Sequence, residues 1–193
     1  MFIALISLVH SAEPALADGD LVFQRSRSDQ AAAIALATGS PWTHMGVVFL
    51  VDGEPMVLEA VQPVKWTPYS AWVARGVDGE VHVKRLKEPP DAEQIAAMRT
   101  LGESWVGLDY DLAFGWSDDR MYCSELAWKL YDRGADEQVG ELARFGDHAL
   151  EHPEVRRKLE QRYGKDLPLA ETVISPGAMY DDPDLTLVLP SAE

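Results

Sequence analysis

Cysteine is almost absent from this sequence, since Cys123 is the only one among its 193 residues. A disulfide framework within the chain and a zinc site built from several cysteines are therefore excluded. The sequence also lacks the G-x-S-x-G turn of one class of serine hydrolase and the glycine-rich loops that bind nucleotide phosphates. Nothing in these patterns points to a cofactor, and we predict none.

Positive charge is scarce as well. The chain has 17 Lys and Arg against 32 Asp and Glu, which gives a net charge of -15. A surface of this sign repels phosphate backbones, so we do not expect nucleic-acid binding. The length and the hydrophobic content of 47% suit one globular domain with a substantial core.

The first 17 residues lack Lys and Arg and contain an apolar run, Phe2–Val9. This run is far shorter than the roughly 20 residues that span a bilayer. Residues Ala15–Ala17 match a small-x-small cleavage pattern, although a secretory signal normally begins with positive charge. An N-terminal core strand or a disordered leader is the alternative. We predict a signal peptide over residues 1–17, a single domain over residues 18–193, and an exported, periplasmic or otherwise extracytoplasmic protein associated with the cell envelope.

The hydrophobic patterns predict an α+β fold, with a small antiparallel sheet packed against helices. Asp52-Gly53 lies between two apolar runs and predicts a hairpin of Met45–Val51 with Pro55–Val61. Further strands are expected at Asp20–Arg25, Glu80–Leu86 and Asp184–Leu189. One helix is expected to end at Thr38, and four more are expected at Tyr69–Ala74, Ala92–Trp105, Ser124–Arg133 and Pro153–Tyr163. Residues 107–119 are expected to form a loop.

Cys123 lies where this loop becomes a helix. Free backbone N–H groups and the helix dipole at such a position favour the thiolate over the thiol, and the same N–H groups can hold a developing oxyanion. The dipole alone contributes only about 0.3–1 kcal/mol. A reactive Cys123 therefore requires an imidazole partner.

His44 has the best sequence context for that partner, because it precedes the apolar strand that begins at Met45. Glu59 lies within the second strand of the hairpin, where a carboxylate is costly to bury without a partner. Counting outward from the turn places Glu59 near Met45 or His44, so that Glu59 can orient the imidazole. On these features alone, a catalytic triad and a solvent-facing Glu59 with a loop histidine are equally supported.

A zinc-peptidase pattern, H-x-x-E-H, occurs at residues 148–152. That chemistry needs both histidines on one face of a helix. Pro153 follows directly and disfavours helical backbone at His152. We therefore interpret the segment as a polar loop that leads into the helix beginning at Pro153, and we predict no metal site.

Several short motifs occur in an order that resembles the YiiX/YaeF family of permuted papain-like proteins. These motifs are Gly19–Phe23, Trp42–Gly46, Glu59–Val61, Pro63–Pro68, Tyr110-Asp111, Trp116–Arg120, Tyr122–Glu125, Arg162–Lys165 and Ser175-Pro176. The family is related to NlpC-type cell-wall peptidases and to lecithin:retinol acyltransferase-like enzymes. The resemblance extends from about residue 18 to about residue 189.

The resemblance implies a circularly permuted papain-like (NlpC-type) fold and the chain order His, carboxylate, Cys. It assigns Cys123 as nucleophile, His44 as base and Glu59 as orienting residue. Tyr122, Tyr110 and Trp116 are candidates for lining the oxyanion site or the cleft, with core packing equally supported for Tyr122.

The implied function is a thiol hydrolase or acyltransferase, of cysteine peptidase or amidase type. It would act through an acyl-enzyme on an amide or ester bond of a cell-wall peptide or a lipid. The alternative is a muropeptide- or lipid-binding module of the same fold without turnover.

Overall fold

The computed structural model describes residues 15–190. Most of the predicted signal peptide, residues 1–14, lies outside the described residues. The strands of residues 15–190 are β1 (Leu21–Gln24), β2 (His44–Val51), β3 (Glu54–Glu59), β4 (Lys65–Pro68), β5 (His82–Leu86), β6 (Asp109–Tyr110), β7 (Arg120–Met121), β8 (Ala143–Arg144), β9 (Thr172–Val173) and β10 (Leu185–Leu189). The α-helices are α1 (Ala31–Thr38), α2 (Tyr69–Ala74), α3 (Ala92–Trp105), α4 (Cys123–Ala135), α5 (Pro153–Tyr163) and α6 (Pro176–Tyr180).

Six strands form the main sheet in the order β10-β5-β1-β2-β3-β4, and every neighbouring pair is antiparallel. The remaining strands form two short pairs, β6 with β7 and β8 with β9. The α+β class and the antiparallel sheet packed against helices are thus confirmed. The loop predicted over residues 107–119 is interrupted by β6, which pairs in parallel with β7.

The predicted hairpin is confirmed. Asp52 and Gly53 both have positive φ, 52° and 85°, as the two central residues of a tight hairpin turn require. Strand β3 is shorter than predicted and ends at Glu59. Strand β2 begins one residue early, at His44, because Gln24 of β1 pairs with it.

The two faces of the sheet carry separate hydrophobic clusters. On one face, side chains such as Phe23 and Val47 pack with residues of α3 and α4, including Met98 and Leu126. On the other face, valines of β1, β2, β3 and β5 surround the fully buried Trp72 of α2. Successive side chains of a strand point to opposite faces of the sheet, and both faces are buried here. The central strands are therefore continuous apolar runs in the sequence. Within residues 15–190, no helix has the length and apolar character to cross a lipid bilayer.

Helix α4 continues past Gly134, where the sequence predicted its end, and finishes at Ala135 with Asp136 in the left-handed conformation. Gly134 serves helix packing instead, because a Cβ there would lie 2.8 Å from Cα of Met98 in α3. This close approach fixes α4, whose first residue is Cys123, against α3.

We expect Gly134→Ala to destabilise the protein by about 1–3 kcal/mol through overpacking against α3. Helix propensity alone favours alanine by about 1 kcal/mol. The sign of the change in the free energy of unfolding therefore shows which of the two effects is larger. Urea denaturation of both proteins measures it, and a variant as stable as the wild type or more stable would contradict the close-packing role.

Candidate active site

Cys123 is the first residue of α4 and is 3% exposed. The backbone of Tyr122 precedes it in extended conformation and donates to the carboxylate of Glu125, 3.2 Å away. Backbone N–H groups of Met45 and Ser124 donate to the Cys123 sulfur. The thiol therefore lies at the positive end of a helix, with donors already directed at it.

His44 and Glu59 meet across the β2–β3 pair. Val47 faces Leu58, which leaves Glu59 opposite Gly46 and diagonal to His44. A Cβ at Gly46 would lie 2.8 Å from the carbonyl oxygen of Leu58, so only glycine fits there. The Nε2 atom of His44 lies 2.7 Å from Oε2 of Glu59.

Glu59 is completely buried, and three groups bind its carboxylate. Besides His44, Thr67 donates to Oε1 at 2.6 Å and Arg75 donates to the same atom at 2.5 Å. The His44 ring also stacks on Trp72, with centroids 6.0 Å apart. These contacts fix the carboxylate and the imidazole plane, as a buried charge requires.

The side chains of His44 and Cys123 are hydrogen-bonded to each other. Because Nε2 of His44 is bound to Glu59, Nδ1 is the ring nitrogen that remains for the thiol. The structure thus brings Cys123, His44 and Glu59 into one hydrogen-bonded chain.

Burial disfavours the charged forms of both Cys123 and His44, but the hydrogen bonds and charges around the two side chains outweigh the effect of burial. Hydrogen bonds and charge from Cys123 and Glu59 raise the pKa of His44 from 6.5 to about 9. The hydrogen bond and the positive charge of His44 lower the pKa of the Cys123 thiol. Hydrogen bonds from His44, Arg75 and Thr67 hold the pKa of Glu59 at about 2. The arrangement favours a thiolate–imidazolium pair over the neutral pair.

Tyr110, in β6, lies at the same site. Its hydroxyl forms a hydrogen bond with the side chain of Cys123 and accepts one from Nε2 of Gln30 at 3.3 Å. Burial and the negative charge of Cys123 raise the pKa of Tyr110 well above 10. Tyr110 therefore stays protonated and able to donate to an oxyanion near the sulfur.

The side chains of Tyr122 and Trp116 make other contacts than that of Tyr110. The Tyr122 hydroxyl accepts from the backbone N–H of Ile174 at 3.1 Å, and its ring packs edge-on against Phe114. Trp116 packs on Trp128 and under the Lys129 ammonium group. Tyr122 still lines a cavity beside Cys123, whereas Trp116 lines neither of the two cavities described below.

An apolar cavity of about 100 Å³ opens beside Cys123. It lies between α1 and α5 and is bounded by side chains such as Ile34, Phe145, Val155 and Leu159. A groove of about 620 Å³, lined mostly by residues with polar side chains, lies on the His44 side, and Gln30 and Tyr110 line both spaces. We call these two spaces the acyl cavity and the leaving-group groove.

Five residues of the site were given no role from the sequence, although Thr67 and Arg162 lie in motifs of the family resemblance: Gln30, Thr67, Trp72, Arg75 and Arg162. Gln30 is the N-cap residue of α1, but its side chain makes no capping hydrogen bond. Its side chain instead joins Tyr110 to Arg162 of α5, which donates to it at 3.1 Å. These partners are separated by 80 and 132 positions, so no local pattern could reveal them.

The H-x-x-E-H segment does not form one helical face. Helix α5 begins at Pro153, as predicted, and His152 is its N-cap, accepting a bond from the N–H of Glu154. His148 instead lines the acyl cavity.

Three comparisons with known proteins agree on one family. The family described as "Permuted papain-like amidase enzyme, YaeF/YiiX, C92 family" matches residues 15–189. The chain is 44% identical over 170 residues to "Uncharacterized protein YiiX" of Escherichia coli strain K12, which covers 88% of this chain and 84% of that protein. A crystal structure described as metalloprotein yiiX from Escherichia coli O157:H7 superposes with a TM-score of 0.87 at 43% identity, covering 92% of this chain and 97% of that one.

The Escherichia coli protein of that crystal structure is described as a metalloprotein. Within residues 15–190, no group of three or more His, Cys, Asp or Glu side chains is placed to hold a metal ion. A catalytic zinc takes three protein ligands. Cys123 and His44 provide two donors that already bind each other, and Glu59 lies on the far nitrogen of the imidazole. These residues do not fit a metal centre.

Proposed function

Because the chain belongs to the YaeF/YiiX family of permuted papain-like amidases, we propose that it is a cysteine amidase that works through Cys123, His44 and Glu59. The observation that carries the proposal is the buried hydrogen-bonded chain from Cys123 through His44 to Glu59 at the start of α4. This arrangement supplies a thiolate, a proton donor and an orienting carboxylate within one site.

In the first half-reaction, the Cys123 thiolate attacks the acyl carbon and forms a carbon–sulfur bond. The carbonyl oxygen becomes an oxyanion, to which the Tyr110 hydroxyl and the backbone N–H at the start of α4 donate. The carbon–nitrogen bond then breaks as His44 gives its Nδ1 proton to the departing amine.

In the second half-reaction, neutral His44 takes a proton from water, and the hydroxide attacks the thioester. The carbon–sulfur bond breaks, the carboxylic acid leaves, and the thiolate–imidazolium pair is restored. A second nucleophile in place of water would make the same site an acyltransferase.

The two cavities favour a substrate with an apolar acyl group. Cys123 bonds to the acyl carbon, and Cys123 lines the acyl cavity. His44 protonates the leaving group, and His44 lines the leaving-group groove. A cavity somewhat smaller than the engineered one of about 150 Å³ that holds benzene accepts a short or partly inserted apolar chain. This supports a lipid-type or hydrophobic acyl group over a polar one.

The pH dependence of amide hydrolysis tests this function. With hexanoyl p-nitroanilide as substrate, we expect a bell-shaped profile of kcat/KM. The rate should fall as pH rises through about 9, because the pKa of His44 is raised to about 9 and its proton is lost above that value. The acid limb should lie below the free-cysteine pKa of about 8.5. A rate that keeps rising beyond pH 9 would contradict a protonated His44.

We expect Glu59→Gln to lower kcat/KM by roughly 10- to 150-fold, because one charge-assisted hydrogen bond contributes about 1.5–3 kcal/mol. Loss of the carboxylate also lowers the pKa of His44, so the alkaline limb of the profile should move to lower pH. Steady-state kinetics across pH measures both effects. Glu80→Gln, which removes a surface partner of Arg25, is the matched control. An unchanged alkaline limb in Glu59→Gln would refute the orienting role.

A further inference from the structure

Apart from the Cys123 thiolate, the charged side chains that line the two cavities are all basic. Arg27 and Arg75 line the leaving-group groove, and Lys158 and Arg162 line the acyl cavity. Among residues 15–190, no Asp or Glu lines either space, although Asp and Glu outnumber Lys and Arg by 32 to 17 in the chain. The sign of the site is therefore opposite to that of the whole protein, which points to an anionic ligand.

Arg27 is the uncompensated charge of the groove. The Cys123 thiolate balances His44, and Glu59 balances Arg75. Arg27 is exposed, and no described residue forms an ion pair or a hydrogen bond with its guanidinium group. Its five N–H donors are thus available to a ligand.

Neutral donors and acceptors complete the groove. The hydroxyl groups of Ser26 and Ser28 lie 3.0 Å from each other beside Arg27. Arg75 uses one N–H group on Glu59 and is 42% exposed, so its remaining donors are available to the groove. A guanidinium flanked by hydroxyl groups matches the oxygens of a carboxylate or a phosphate.

We infer that the leaving amine of the substrate carries an anionic group, a carboxylate or a phosphate, which Arg27 binds in the leaving-group groove. The inference rests on the proposed amidase function, because that function places the leaving group on the His44 side. The substrate class is then an N-acyl amine with an apolar acyl group and an acidic head.

Binding to Cys123→Ala tests the inference without turnover. The probes are N-hexanoylglycine, N-hexanoyl-O-phosphoethanolamine and the neutral N-hexanoylglycinamide, titrated by calorimetry at neutral pH. We expect at least one acidic amide to bind about tenfold or more tightly than the neutral one, the size of one charge-assisted hydrogen bond. Whichever of the two acidic amides binds more tightly identifies the recognised group as a carboxylate or a phosphate.

Arg27→Gln in the same background should remove most of this preference, and Arg27→Glu should reverse it. Arg157→Gln, an exposed arginine of α5 that lines neither cavity, should leave the preference intact. Equal affinity for acidic and neutral amides, no binding of any probe, or a preference that survives Arg27→Glu would overturn the inference.

Turnover of the same amides by the wild type separates this result from the proposed function. If the acidic amides bind preferentially but the wild type cleaves none of them, the amidase proposal fails and anion recognition stands. If cleavage depends on Cys123 but acidic and neutral amides react equally, the amidase proposal stands and the inference fails.

Discussion

Replacing Cys123 with alanine is expected to reduce amide hydrolysis by at least about 10⁴-fold, because no other group in the site can form the acyl-enzyme. Cys123→Ser should lose nearly as much. A serine hydroxyl does not ionise under conditions in which the thiol does, so the ion pair with His44 cannot form. Both substitutions remove or replace a single atom at a buried position.

Mass spectrometry adds a direct measurement to the kinetics. In an acid-quenched reaction with hexanoyl p-nitrophenyl ester, which acylates a thiolate faster than an amide does, the wild type should carry a hexanoyl adduct on Cys123 that Cys123→Ala cannot form. The contrary result is a wild type that forms no product and no adduct while Cys123→Ala binds the amide with the same affinity. That outcome would favour the non-catalytic binding module of the same fold.

Replacing His44 with alanine is expected to lower kcat/KM by about 10³- to 10⁴-fold. Two functions are lost together: the charge that lowers the pKa of the Cys123 thiol, and the proton that the departing amine receives. Part of the loss should be recovered at high pH, because the free thiol ionises there without its partner.

His152→Ala is the matched control for this substitution. His152 is the exposed N-cap of α5 and lines neither cavity, so we expect activity within about twofold of the wild type. Bound zinc in stoichiometric amount, together with loss of activity in His152→Ala, would instead support the H-x-x-E-H interpretation.

The parts of the fold that local patterns determine could be predicted from the sequence. Asp91 caps α3 with bonds to two N–H groups, and the helix covers Ala92–Trp105 as predicted. The Asp52-Gly53 turn fixes the register of β2 and β3, which brings Glu59 to His44. Patterns of this kind work because turn and cap geometry restrict the backbone within a few residues.

Features that depend on contacts between distant segments could not be predicted. Gly134 read as a helix stop because glycine is common there, whereas the approach of α3 makes it a packing position. Gln30 precedes α1 in the sequence, but its side chain binds Tyr110 through Nε2 and Arg162 through Oε1, and both partners are distant along the chain. The basic lining of the groove was also hidden, since Arg27 and Arg75 are 48 positions apart in a strongly acidic chain.

Both half-reactions proposed for this site require Cys123 and His44 to form a thiolate–imidazolium pair. The pH dependence of Cys123 alkylation by iodoacetamide, in the wild type and in His44→Ala, measures this pair without a substrate. We expect the Cys123 thiol to react at pH values well below the free-cysteine pKa of about 8.5, and its titration to move to higher pH when His44 is removed. A thiol that is inert near neutral pH, or one whose titration does not respond to His44→Ala, would contradict it.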